Sequence, residues 1–488
     1  MKQLFQNLKT GDFLIEEIPV PICKADGILV ETAASVVSAG TERMLMDFAK
    51  RSILGKVKSR PDLARQVLDK MRQEGVKSTL EKVFSRLETP LPLGYSIAGI
   101  VREVGAEARD EFQPGERVAC GGAGYANHAE LNYVPKNLAV KIPDSISFEE
   151  AAFTTIGAIA LQGVRQAVPT LGERFAVIGL GLLGLLTVQL LKANGCRVIG
   201  ADLDNFKLEL AQRLGCDEVC LAGDLKGAAL SFSQGHGVDG VIICAATQSN
   251  EPVVTSGEIS RLKGRIVAVG VCDLNIPRDL YYKKELELKL SMSYGPGRYD
   301  PTYEEKGIDY PFAYVRWTEK RNMEAFLDLL AQCKVNVKDL ITHRFSFDKA
   351  LEAYQLLEGK GKEPFVGIIL TYTKNGRAEE REIASSEAVE GEKERIEIER
   401  KIWLEKATDS SRSHTSRVTV GFIGVGNFAK GVLLPALKKL KGVELLGISS
   451  SRGSSATFVG KKYGFRYTSS RYEEILADEE INTVFIVT

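Results

Sequence analysis

The chain has 488 residues, 64 Lys plus Arg against 64 Asp plus Glu, and 44% hydrophobic residues. That length predicts about three domains with cores of their own, and zero formal charge excludes a generally polyanion-binding protein. Eight cysteines without a CxxC pair read as reduced thiols.

The opening stretch MKQLFQNLKTGDF lacks the basic start and apolar core of a signal peptide, and no later run is long enough to span a bilayer. The expectation is a cytoplasmic protein with neither membrane nor nucleic-acid partners. Residues 10–45 then alternate as strands in FLIEEIPVP and GILVETAASVVSAGTE. Residues 45–89 change to helical spacing in DLARQVLDKMRQ and STLEKVFSRL, with Lys56, Lys58, Arg60 and Arg65 among an excess of basic residues. Such charges read either as a solvated face or as a lid meeting an acidic or phosphorylated substrate. Residues 91–142 return to strands, so a β-rich barrel with a helical insertion is expected first.

Arg174 to Asp204 carries the strongest signal, RFAVIGLGLLGLLTVQLLKANGCRVIGADLD. A short apolar run turns through Gly179, Gly181 and Gly184, with Leu180, Leu182 and Leu183 filling the turn, and passes into a helix. Gly179 permits the tight turn, Gly181 lets backbone N–H groups approach a pyrophosphate, and Gly184 lets the helix pack closely on the strand. The helix N-terminus adds partial positive charge. Asp202, at the tip of the next strand, suits both hydroxyls of a ribose and repels a 2′-phosphate, which favours NAD while leaving NADP open.

Residues 291–330, SMSYGPGRYDPTYEEKGIDYPFAYVRWTEKRNMEAFLDLL, are rich in aromatic and charged side chains. Tyr294, Arg298 and Tyr299 head a set that also includes Tyr303, Tyr310, Arg316 and Trp317. They suit either a pocket for a sugar-like substrate, rings stacking while Arg fixes an acid group, or a surface loop packed on the barrel. Residues 372–417 are charged and poor in large apolar side chains, as a linker is. A second dinucleotide signature follows in VTVGFIGVGNFAKGVLLPALKKL, with Gly424, Gly426, Asn427 and Phe428 in the turn and Ala429 in the third small position. Its next strand ends in Ser449, Ser450, Ser451 and Arg452 instead of an acid, so NAD or NADP is open there.

The order PLGYSIAGIVREVG, FQPGERVA, AVKIPDSISFEEAAF, VIGLGLLGLLTVQLLKANG and GADLD resembles the medium-chain dehydrogenase/reductase superfamily, the zinc alcohol dehydrogenase-like proteins. GFIGVGNFAKGVLLPAL, GISSSRGSSATFVGKKYGF and SSRYEEILADEEINTVFIVT resemble the start of the Gfo/Idh/MocA oxidoreductases. Together they imply an α/β protein: a GroES-like β-barrel catalytic domain plus a Rossmann domain, then a second, truncated Rossmann domain. The implied divisions are a catalytic domain over 1–145 with the insertion at 45–89, a Rossmann domain over 146–296, the catalytic return over 297–371, a linker over 372–417 and the second module over 418–488. The latter family's Glu-Lys-Pro motif and substrate domain would lie beyond Thr488, which suggests a fragment of a longer bifunctional protein.

The resemblance further implies the turn from Cys244 to Thr247 near adenosine and Val269 to Val271 near nicotinamide. It also exposes departures. Where the superfamily reads Cys-Gly-Thr-Asp, this chain has Ala39, Gly40, Thr41 and Glu42; where it reads Gly-His-Glu, this chain has Gly94, Tyr95 and Ser96; and the structural zinc lobe is missing. No metal is expected, and Thr41 with Tyr95 is the expected acid/base and oxyanion pair. His128 and His343 read as structural. The implied activity is hydride transfer between a nicotinamide and a secondary alcohol or ketone of a small molecule, a sugar derivative by preference, in a homo-oligomer. Enone reduction and a catalytically silent nucleotide-binding scaffold are the alternatives.

Overall fold

The computed structural model describes residues 1–40, 42–43, 46, 90–359, 363–372, 398–404 and 418–488. Thr41 and the basic residues Lys56, Lys58, Arg60 and Arg65 lie outside them.

The first unit is organised on one long strand, Gly27–Val37, whose apolar residues are buried along nearly its whole length. It pairs antiparallel with Ser96–Val104, Leu131–Pro135 and Gly367–Thr371. The last partner comes more than 300 residues later, so the chain leaves the barrel to build the cofactor sheet and returns to close it. Ile341–Ser346, Arg117–Gly121 and Ala139–Lys141 complete this seven-stranded sheet. Its core runs without a break from Val30, Ile97 and Val118 into Phe153, Phe175 and Leu185 of the next unit.

Inside the barrel, His128 is wholly buried and bonded at both ring nitrogens, Nδ1 to Ser35 Oγ at 2.7 Å and Nε2 to Glu42 Oε1 at 3.2 Å. Ser35 also meets the Tyr372 hydroxyl at 3.0 Å. These bonds hold the turn after Gly27–Val37 against the loop before Leu131–Pro135. Gly94 makes the approach possible: its φ is +89°, and a Cβ there would lie 2.6 Å from the His128 backbone nitrogen. Tyr95 is the next residue.

The second unit is a six-stranded parallel sheet in the order Glu218–Leu221, Arg197–Asp202, Arg174–Ile178, Val238–Ile243, Ser260–Ala268, Glu287–Leu290. Numbered along the chain this is 3-2-1-4-5-6, the doubly wound order whose crevice opens at the carboxyl ends of strands one and four. Val, Ile and Ala dominate its strands because helices cover both faces.

A third unit begins with the edge strand Lys401–Trp403, antiparallel to Tyr467–Ser469, and continues through Val443–Ser449, Val418–Ile423 and Thr483–Ile486, which are parallel. It is docked on the barrel. The Ile22 N–H donates to the Ser451 carbonyl at 3.1 Å and the Val20 N–H to the Glu399 carbonyl at 2.9 Å. Arg400 Nη2 donates to both carboxylate oxygens of Glu103 at 2.8 Å, and the Phe5 and Phe458 rings meet edge to face with centres 4.9 Å apart. Among the described residues no helix is long and apolar enough to cross a membrane.

Candidate functional site: two dinucleotide crevices and a cleft beside the first

Each glycine of the first turn has a distinct steric reason. Gly179 has φ +91°, and a Cβ there would strike the Ala245 backbone nitrogen at 2.7 Å. A Cβ on Gly184 would lie 1.9 Å from the Gly179 carbonyl oxygen, so the helix Leu182–Ala193 rests directly on the turn. Gly181 caps that helix and has no atom within 4 Å of an added Cβ. The open side of the turn is thus the side on which the first N–H groups of the helix lack intrahelical partners. Leu180 is buried, anchoring the turn in the core.

Asp202 closes the site from the next strand. Its Oδ2 accepts from the Leu180 N–H at 2.7 Å, and its Oδ1 accepts from Leu203 and Asp204 at 2.8 and 3.1 Å. The carboxylate therefore ties the glycine turn to the neighbouring strand, and Oδ2 retains a lone pair for a hydroxyl. Lys207 Nζ stands 3.5 Å from Oδ1, a neighbour that sequence reading missed. Across the crevice, the Val269 and Gly270 N–H groups both reach the Ile243 carbonyl.

Toward the barrel, the Tyr95 carbonyl accepts from Gly122 at 3.1 Å and its half-buried ring packs on the main core. Ser96 Oγ donates to the Ala152 carbonyl at 2.6 Å, which joins the barrel to the stretch leading into the helix Thr154–Ala167. The three expected substrate residues have different surroundings. Tyr294 is buried, Arg298 pairs with Glu304 at 2.5 Å, and Tyr299 is exposed, with the Arg298 guanidinium 4.2 Å from its ring centre. Beneath them lies Glu319, fully buried; burial, and then the Glu304 carboxyl, push its pKa up to about 9. Burial and Glu319 in turn hold the Tyr294 hydroxyl well above its ordinary range.

The second turn repeats the steric logic. Gly424 has φ +92° with a Cβ position 2.3 Å from the Val487 carbonyl oxygen, whereas Gly426 is open to 4.0 Å. Asn427 and the exposed Phe428 follow as its helix begins. The strand tip that would meet a ribose is also the tip that docks on the barrel, where Arg452 stands 5.3 Å from the Tyr125 ring centre.

Comparison with known proteins matches both crevices. The pattern of the zinc-binding dehydrogenases covers residues 183–305, and that of the oxidoreductase family with an NAD-binding Rossmann fold covers 418–488. A D-xylulose reductase of Saccharomyces cerevisiae is 26% identical over 303 residues, 55% of this chain and 78% of its own. An L-idonate 5-dehydrogenase of Vitis vinifera is 25% identical over 299 residues, 54% of this chain and 74% of its own. The crystal structure of 2R,3R-butanediol dehydrogenase from Bacillus subtilis superimposes with a TM-score of 0.57 at 19% identity, over 76% of this chain and 99% of its own. The chain is a medium-chain dehydrogenase/reductase joined to a Gfo/Idh/MocA-type module.

This bi-domain oxidoreductase uses a nicotinamide cofactor, and the glycine turns fit one. The superfamily's zinc fits less well. At the two positions that would supply a thiolate and an imidazole, the dehydrogenase has the Ala39 methyl, packed with Val37, Met46 and Leu93, and the Tyr95 phenol. Among the described residues no three His, Cys, Asp or Glu side chains converge as a metal site requires.

Proposed function

We propose that the first unit reversibly oxidises a secondary alcohol of a polyol or sugar derivative, with NAD as the preferred cofactor and no zinc. The observation that carries the cofactor choice is Asp202, whose carboxylate is fixed to the glycine turn with an acceptor position left for a ribose hydroxyl. Lys207 beside it tempers the repulsion of a 2′-phosphate, so NADPH is a weaker ligand and not an excluded one. The substrate class follows the D-xylulose reductase and L-idonate 5-dehydrogenase relatives. The matched zinc-binding pattern starts at residue 183, after both departed ligand positions.

Bound nicotinamide supplies the hydride acceptor. The glycine turn and the helix N-terminus grip the pyrophosphate, and the backbone from Val269 to Val271 orients the ring. Tyr95 and Thr41 would hold the alcohol oxygen and relay its proton outward, each hydroxyl accepting one proton as it gives its own up, with water as the final acceptor, the task a Lewis acid would otherwise share. The unit works within a homo-oligomer in the cytoplasm. In the second module, Ser450, Ser451 and Arg452 stand where an acid would exclude NADP, so NAD or NADP is its proposed cofactor.

Titration with NADH and NADPH, read by energy transfer from tryptophan, tests the first site. NADH should bind more tightly, and Asp202→Ala should weaken NADH by roughly 10–100-fold, the scale of losing charge-assisted hydrogen bonds. An unchanged NADH affinity in that variant contradicts the assignment.

A further inference from the structure

Four arginines lie on or against the segment 291–322, and two of them have no carboxylate partner among the described residues. Arg298 is paired with Glu304 and Arg321 with Asp309. Arg165, from the helix Thr154–Ala167, and Arg316 instead share one indole: their guanidinium carbons lie 3.2 and 3.8 Å from the Trp317 ring centre. Among the described residues neither has a carboxylate within ion-pair distance. Burial, and then the Arg316 charge, pull the Arg165 guanidinium down to about 10. Two cations held against one ring without an anion leave an electrostatic deficit that a bound anion would remove.

Arg165 is also held in place. Its Nε donates to Asn322 Oδ1 at 2.8 Å, and the Asn322 amide donates to Gln162 Oε1 at 3.1 Å and the Tyr294 carbonyl at 2.9 Å. Asn322 is fully buried. Gly295 allows this approach, since a Cβ there would lie 2.6 Å from Asn322 Nδ2. The fork of Arg165 is thereby oriented by a buried amide through Nε, which leaves its terminal nitrogens to a ligand. The same helix touches the cofactor crevice, because a Cβ on Gly163 would meet Val269 Cγ2 at 2.5 Å.

We propose that Arg165 and Arg316, with Trp317 as the floor between them, form an anion subsite that takes the carboxylate or phosphate group of the substrate. Planar guanidinium forks match both anions bidentately, whereas a neutral polyol offers them nothing equivalent. The proposal rests on the sugar-alcohol reading above and adds that the preferred substrate is acidic.

The chain has two tryptophans, Trp317 and Trp403, so Trp403→Phe leaves Trp317 as the sole indole reporter. In that background, inorganic phosphate, D-glucuronate and D-sorbitol are titrated at constant ionic strength, and NADH binding is measured separately. Saturable changes in Trp317 emission with phosphate or glucuronate and none with sorbitol support the site. Arg316 is exposed, so Arg316→Ala should keep the thermal midpoint while weakening the anion at least about tenfold. Arg165→Lys should weaken it by a smaller factor. A phosphate response that glucuronate and glucose 6-phosphate both fail to displace overturns the substrate assignment. No saturable response, or the same response in both arginine variants, overturns the subsite itself. Loss of NADH binding would instead overturn the oxidoreductase reading while leaving the anion titration to stand or fall alone.

Discussion

Glu319 gives the sharpest test of how charge is arranged beneath the candidate cleft. It is fully buried at the start of the helix Glu319–Ala331, beside the Glu304 carboxyl, and Arg298 is engaged by Glu304. Its pKa rises from 4.5 to about 9 on folding. Between these values the folded chain keeps a proton that the unfolded chain releases, so stability falls as pH increases. Each pH unit in that window removes up to about 1.4 kcal/mol, and from pH 4.5 to 7 the loss reaches roughly 3 kcal/mol. Glu319→Gln keeps the shape and a polar amide but cannot ionise. Thermal unfolding of both proteins should be followed in steps from about pH 5 to pH 8, taking differences so that shared titrations cancel. The variant should gain on the wild type with each step, by several degrees in midpoint near neutral pH. A difference that stays flat, or a wild type that gains as pH rises, refutes a protonated Glu319.

Two further substitutions separate the other parts of the account. Tyr95→Phe should lower turnover by about a hundredfold or more while NADH affinity stays constant, because it removes a proton-transfer group and leaves the crevice untouched; equal turnover would remove Tyr95 from the chemistry. Gly453 has φ +72° and a Cβ position 2.5 Å from the Pro19 carbonyl oxygen, so Gly453→Ala should loosen the second module from the barrel. Amide exchange at Ile22, whose N–H bonds to Ser451, should then accelerate, and unchanged protection would show that the contact tolerates the methyl.

The two dinucleotide folds were legible because their determinants are local. Gly179, Gly181, Gly184 and Asp202 lie within 24 residues of one another, and the turn, the close helix contact and the carboxylate at the next strand tip all follow from that spacing. Side-chain partnerships were not legible. Arg298 has the composition of a substrate anchor, yet Glu304, six residues on, takes its charge. Arg165 sits in an apolar helix and carries no motif; only folding brings it to Trp317 and Asn322, more than 150 residues away. The docking of Ser451 on Ile22 was equally hidden, since a strand tip that reads as a ribose contact also serves as a packing surface.

The central claim is alcohol oxidation without zinc, and the most direct measurement pairs turnover with metal content. Purified chain is dialysed against a chelator, its zinc is determined by mass spectrometry, and NADH formation is followed with xylitol, sorbitol, L-idonate and D-glucuronate. The account predicts turnover that stays constant when zinc is far below one per chain and does not rise when zinc is restored. Activity that disappears with the metal and returns in proportion to added zinc would contradict it.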